Sequence, residues 1–349
     1  MRKISILLGK FVALIALLFA AFVMLLTVLD YDPDIVTKND ITSNSDVMVE
    51  DGFSITTWNL GYGGLSSDTD FFLDGGKSVT PSAETTANNL TGIANYIAED
   101  DSDLYLLQEV DIKSKRAHNN NMHERVKSVL SDYSSTFATN FKVLYLAYPF
   151  PDMIGNVEAG ISTFSKFKID DSTRIGFDIN YSWPKKIMHL DRALSVNEIS
   201  IKDSDAKLIV VNLHLSAYDD GGLRAVQLAD LKKLIESEYA AGNYVVAGGD
   251  FNQMFPTAAN DQYPIYHPEL YLPNLIDKDY LSVGWQFIFD DTQPTYRLLN
   301  APYNASTAQV GVIDGFIVSP NLELVSAETV SMDFKFSDHN PVKAKFRFK

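Results

Sequence analysis

The chain opens on a short basic start and one unbroken apolar run. Phe11 to Leu29 is 19 residues without a charge. About 20 apolar residues cross a bilayer core, whereas the apolar region of a cleaved signal peptide is shorter, roughly 7–15 residues. The length favours an uncleaved anchor. Arg2, Lys3 and Lys10 precede the run; Asp30, Asp32 and Asp34 follow it. Positive charge stays on the cytoplasmic side, so the N-terminus is expected inside and the rest of the chain outside, as a single-pass membrane protein. Tyr31 to Asp51 is polar and reads as a linker. From Phe53 onward, short apolar runs alternate with helical periodicity. The runs Phe53–Trp58, Asp103–Gln108, Lys142–Ala147, Gly160–Ser165, Leu194–Ile201, Lys207–His214, Tyr244–Gly248, Gly311–Val318 and Val342–Phe348 are rich in Val, Ile, Leu, Phe and Tyr and predict strands. Helices are predicted over Ala83–Glu99, Met122–Leu130 and Leu223–Tyr239; in the last, Leu223, Val226, Leu231, Leu234 and Ile235 follow the 3.6-residue period. Many strands and few helices point to stacked sheets covered by helices. No repeat is visible. Gly61–Pro81 and Gln253–Gly284 are long irregular segments of the kind that shape binding sites.

The 349 residues therefore divide into an anchor (1–30), a linker (31–51) and one large domain (52–349). Cysteine is absent, which excludes disulfides and thiolate metal sites. Any metal must sit among carboxylates, amides, imidazoles and water, the ligands of hard cations. Beyond residue 30 the chain holds 26 basic and 44 acidic residues, a net charge of −18. Broad nucleic-acid binding relies on neutralising phosphates, so this balance opposes it unless a local basic groove exists.

The chemical signal lies where apolar runs stop. Ile55–Trp58 ends in Asn59, Leu104–Leu107 in Gln108 and Glu109, Leu208–Leu213 in His214, and Tyr244–Gly249 in Asp250 and Asn252; Val312 and Ile313 lead into Asp314, and Phe336 and Ser337 into Asp338 and His339. A single Asp after a strand is usually a turn or a cap. Six such ends converging on one sheet edge would form a polar pocket suited to Mg²⁺ and phosphate chemistry.

With these motifs the chain resembles the endonuclease/exonuclease/phosphatase superfamily. They are TTWNLG (Thr56–Gly61), LLQEVD (Leu106–Asp111), GISTFSK (Gly160–Lys166), VNLHLSA (Val211–Ala217), GGDFN (Gly248–Asn252), VIDGFIVS (Val312–Ser319) and FSDHNPV (Phe336–Val342), in family order. The resemblance implies an α/β, four-layer αββα sandwich of two mixed sheets flanked by helices. It implies Mg²⁺, with Mn²⁺ as a substitute, held by Glu109 with Asn59 and Asp338. Asp250 would orient or deprotonate the attacking water, Asn252 would hold the phosphate, and Asp338 would orient His339 on the scissile phosphate. His214 would protonate the leaving group or bind phosphate, and Asp314 would bind substrate. Arg192 reads either as a phosphate contact or as a surface charge. Asn156 is a weak match to a site amide. Tyr218, Asp219 and Arg224 either touch substrate or start a helix. Arg116 and His118 receive no role, and His123 and His267 read as surface residues.

The expected reaction is hydrolysis of a phosphodiester or phosphomonoester. A lipid or cell-surface substrate fits the anchor and the acidic body. An extracellular nuclease is the alternative, and a catalytically silent binding module the second. An inositol-phosphate phosphatase fits less well, because that branch carries GDLNYR where this chain has GGDFNQ. The partners implied are the substrate and, through the N-terminal helix, the membrane; no obligate protein partner is implied.

Overall fold

A computed structural model describes residues 2–179, 181–217 and 222–349. Helix α1, Arg2–Val28, is long and apolar enough to cross a membrane, and its side chains are almost all exposed. After it come two seven-stranded mixed sheets. The first runs in the spatial order Val36–Lys38, Ile169–Gly176, Ala193–Ser200, Lys207–His214, Tyr244–Asp250, Asp314–Val318, Gln286–Ile288. The second runs Leu322–Thr329, Val342–Phe348, Gly52–Asn59, Leu104–Asp111, Gly155–Ser165, Ser134–Leu146, Ile41–Thr42. The polar stretch expected as a linker thus supplies an edge strand to each sheet, at Val36–Lys38 and at Ile41–Thr42.

Alternation along each strand explains the layers. Leu208, Val210 and Val246 point between the sheets, against Phe53, Ile55, Leu104, Leu106 and Phe346. Their neighbours Ile209, Val211 and Val245 point outward, under Leu228, Leu231 and Ile235 of helix α4, Gly222–Ala240. Helices α2, Ala83–Asp100, and α3, Met122–Val129, cover the other sheet through Leu90, Ile93, Ile97, Met122 and Val126 on Trp58, Tyr105 and Leu107. Strands buried on both faces read as continuous apolar runs, which is why these were visible in the sequence. Capping fixes where the helices start: Ser82 accepts from the Thr85 amide, and Asn121 from the Glu124 amide. The four-layer αββα arrangement is the expected one.

One expectation fails here. His123 is not a surface residue. Its ring stacks on Phe164 at 5.1 Å, meets Phe137 edge-on at 5.6 Å, and shares a hydrogen bond between Nδ1 and Ser162 Oγ at 2.9 Å. It lies on α3, a helix whose inner face needs apolar cover, and an imidazole ring provides it. Burial pushes its pKa down to about 4. The unfolded imidazole, near 6.5, then gains a proton that the folded one refuses, so stability is full above pH 6.5 and falls as the pH drops towards 4. The loss is at most about 3 kcal/mol, less what residual solvent contact screens. In thermal melts between pH 7 and 4, the Tm of wild type should fall relative to that of His123→Phe as the pH drops; a Tm difference independent of pH would count against this.

Candidate active site

Strand register assembles the site. Lys207–His214 and Tyr244–Asp250 are parallel, with His214 opposite Asp250. Asp314–Val318 runs antiparallel on the other side, with Asp314 opposite Asp250. Three functional side chains therefore stand in one row across three strands. Gly249 permits the approach: its φ is +150°, and a Cβ there would lie 1.9 Å from the Leu213 carbonyl oxygen.

The second sheet brings its own set to the same edge. Asn59 donates from Nδ2 to Asp250 Oδ2 at 3.0 Å, and its Oδ1 accepts from the Gly61 amide. Trp58 Nε1 donates to the His339 carbonyl at 2.8 Å and fixes that loop. Beneath the row, Gln108 Nε2 donates to Asn212 Oδ1 at 2.8 Å, a buried amide bridge between the sheets. Glu109 and Asn252 both sit at left-handed backbone angles, φ +52° and +51°. Such strain concentrates at functional sites; Glu109 lies in the bulge between Leu107 and Val110.

Asn59, Glu109, His214, Asp250, Asn252, Asp338 and His339 line a cavity of about 380 Å³. Both irregular segments contribute walls, Tyr62, Leu65, Phe71, Leu73 and Asp74 from the first and Tyr271 from the second. At its floor, the Asp250 carboxylate accepts from Asn59 and from the Asn252 amide at 2.8 Å, with His214 Nε2 at 3.3 Å and His339 Nε2 at 3.8 Å. Burial and the neighbouring Asp314 charge push Asp250 up to about 7. Burial alone would depress His339, but the carboxylates of Asp314 and Asp250 override it and raise the imidazole to about 10. His214 goes the other way, well below its usual value, through burial and the nearby Arg192 and His339. At neutral pH one imidazole is charged and the other is not.

The expected pairing of Asp338 with His339 is not what forms. His339 Nδ1 bonds Asp314 Oδ2 at 2.8 Å. The antiparallel strand Asp314–Val318 delivers Asp314 beside the Asp250 row, so Asp314 meets the imidazole rather than standing free for substrate, while its buried Oδ1 has no hydrogen-bond partner among the described residues. Asp338 instead faces Glu109; burial and that like charge push it up to about 7, against the pull of His339. Among the described residues no hydrogen bond or ion pair reaches the Glu109 carboxylate. Two crowded carboxylates, with the spare lone pair of Asn59 Oδ1, form an all-oxygen donor set that a hard divalent cation suits. Asp250, Asp314 and His339 also bring ligand atoms within 4.8 Å of one another, but His339 Nδ1 and Asp314 Oδ2 are already joined by a hydrogen bond.

Arg192 is not a surface charge, and among the described residues no carboxylate side chain pairs with it. It donates to the His214 carbonyl at 3.0 Å and lines the cavity, and burial lowers its pKa against the pull of Asp250 and Glu109. Asn156 bonds the Lys113 carbonyl away from the cavity. His118 bonds the Pro81 carbonyl, and His267 stays near the surface with Glu269. Arg224 is buried and holds the carbonyls of Ala217 and Asn252. Tyr218 and Asp219 lie outside the described residues. Two further residues of the site are Arg116, which the sequence left without a role, and Tyr271, which it did not single out. Arg116 grips Asp111 through two hydrogen bonds, at 2.9 and 2.8 Å, with its guanidinium 4.1 Å over the Tyr62 ring. Tyr271 donates from its hydroxyl to Asn252 Oδ1 at 2.8 Å. The only sequence signal for Tyr271 was the tyrosine-rich insertion that carries it.

The sequence pattern of the Endonuclease/Exonuclease/phosphatase family matches residues 56–339. Curated proteins gave no match. Among solved structures, the catalytic domain of human Nocturnin with bound sulfate anion is similar, with a TM-score of 0.54 at 19% identity over 89% of this chain and 98% of that one. An endonuclease/exonuclease/phosphatase from Bacteroides vulgatus gives 0.54 at 16% over 85% and 99%. TDP2 of D. rerio complexed with single strand DNA product gives 0.52 at 16% over 84% and 98%. Identities this low bear on the fold.

Proposed function

The chain belongs to the endonuclease/exonuclease/phosphatase family of metal-dependent phosphoesterases and nucleases, and from that premise we propose that it hydrolyses a phosphodiester or phosphomonoester outside the cytoplasm, tethered by α1. The observation that carries this is the Asp250 carboxylate set between a neutral and a charged imidazole at the cavity floor.

Asp250, held by Asn59 and Asn252, is poised near neutral pH to take the proton of an attacking water. The His339 imidazolium, anchored by Asp314, donates to a phosphoryl oxygen as charge builds there. The second Nδ2 hydrogen of Asn252, whose first goes to the Leu215 carbonyl, suits another phosphoryl oxygen. Neutral His214 and Arg192 flank the same floor and suit phosphate binding better than proton delivery. Glu109, Asn59 and Asp338 are the residues that would hold Mg²⁺ or Mn²⁺; bound there, the ion neutralises phosphate charge and stabilises the leaving oxygen.

The nuclease reading ranks second. Of the arginines lining the cavity, Arg116 is committed to Asp111 and Arg297 to the carbonyls of Ser66, Thr69 and Ala301. That leaves little free positive charge to offset −18. The full chain in detergent, given Mg²⁺ or Mn²⁺, is tested on plasmid DNA, RNA, sphingomyelin, phosphoinositides and bis-nitrophenyl phosphate. We expect phosphoester turnover that chelation abolishes and either ion restores. Cleavage of nucleic acid alone selects the nuclease; no turnover on any substrate leaves a binding module.

A further inference from the structure

The end of α1 does not float free of the catalytic body. Trp183 Nε1 donates to Thr27 Oγ1 at 3.0 Å, the Phe22 ring meets Tyr145 edge-on at 6.4 Å, and Leu26 is buried. Around these contacts lies a band of exposed apolar side chains: Leu144 and Tyr145 at the end of strand Ser134–Leu146, Tyr148 and Phe150 on the turn after it, and Trp183 and Met188 on the segment before Ala193–Ser200. Phe150 is 82% exposed and Trp183 61%. A soluble surface rarely gathers such residues in one place. Tyr148 packs on Phe72 at 5.6 Å, and Leu73, Leu146 and Met188 line the mouth of the cavity, so the band runs from the helix to the site.

Depth follows from helix geometry. The 27 residues of α1 are about 40 Å long, some 10 Å more than the hydrocarbon core. Its last turn therefore stands at headgroup level, where tryptophan and tyrosine are at their most stable. A side chain bonded to Thr27 is at that level too, and Tyr145 reaches nearly a turn and a half deeper, to Phe22.

We propose that this aromatic band docks on the outer leaflet of the bilayer that α1 spans, and that the cavity takes its phosphoester from that leaflet, making the substrate a membrane lipid. The substrate half rests on the phosphoesterase reading; the docking half does not. The tether raises the effective concentration of the body at the membrane, so a few aromatic side chains suffice to hold it down.

A cysteine-free chain makes the test direct. Phe150→Cys, Trp183→Cys and Val283→Cys are each labelled with a nitroxide in the full chain, reconstituted into phosphatidylcholine–phosphatidylglycerol vesicles. Val283 is fully exposed and precedes Gln286–Ile288, the sheet edge opposite Val36–Lys38. Labels at 150 and 183 should be accessible to oxygen and shielded from a polar nickel chelate, with the label at 283 the reverse. Nickel accessibility at 150 equal to that at 283 overturns the docking. In the Phe150→Asp, Trp183→Asp double variant, turnover of vesicle lipid should fall roughly tenfold or more, while turnover of bis-nitrophenyl phosphate holds. Equal lipid turnover overturns delivery from the leaflet. A wild type inert on every phosphoester, yet shielded at 150, removes the phosphoesterase reading and the substrate claim and keeps the docked surface.

Discussion

Asp250→Asn is expected to lower kcat by about 10³-fold with little change in KM, because it removes the proton acceptor and keeps the shape. The same substitution should leave Tm unchanged or raised. A carboxylate whose folded pKa is about 7 rather than 3.8 holds a proton more tightly when folded, so its stability contribution falls as the pH rises from about 4 to 7 and stays lost above that. Removing the charge ends that penalty. Asn59 Nδ2 and the Asn252 amide both point donors at this side chain, and an amide can satisfy only one of them, which moderates the gain. Lost turnover with undiminished melting separates a chemical role from a folding one. A loss below tenfold, or a fall in Tm matching the fall in rate, would assign Asp250 to structure.

Asp314→Asn should cost about 10²-fold in kcat, and the cost should depend on pH. Asp314 is the anion bonded to His339 and a principal cause of its charge. Without it, burial dominates and the imidazole loses its proton at lower pH. The wild-type imidazolium contributes its stability fully below pH 6.5 and loses it as the pH rises through about 10; in the variant that loss begins earlier. The activity deficit should therefore be small at pH 6 and large at pH 8.5, with the His339 ring resonances in NMR titrating at lower pH than in wild type. A rise in KM with kcat untouched would return Asp314 to the substrate-binding role that the motif alone suggested.

Lys207–His214, buried on both faces, matches its apolar run to the residue, and Val342–Phe348 does so with Val342, Ala344 and Phe346 buried on one face and Lys345 and Arg347 exposed on the other. Ile169–Gly176 and Leu322–Thr329 went unseen. The first carries Asp170, Asp171 and Arg174, and the second exposes most of its residues along a sheet edge, so neither forms an apolar run. The site was legible wherever its residues closed such runs, as with Asn59, Glu109, His214, Asp250 and Asp314. Partnership was not, because pairing depends on strand register: adjacency along the chain suggested Asp338 for His339, whereas three-strand register supplied Asp314. Arg116 lies on a short helical turn, Lys115–Ala117, and Tyr271 on a loop, and only packing decides where each comes to rest.

The hydrogen bond from Trp58 to the His339 carbonyl joins residues 281 positions apart. At roughly 5–20 residues per second, synthesis takes about 15–60 s to travel that distance. Strand Val342–Phe348, made after every other strand, must then slide between Gly52–Asn59 and Leu322–Thr329. A ribosome-bound chain stalled before residue 339 already carries Glu109, His214 and Asp250 but has no imidazolium opposite them. The topology thus makes the last strand to be synthesised the one that completes the site.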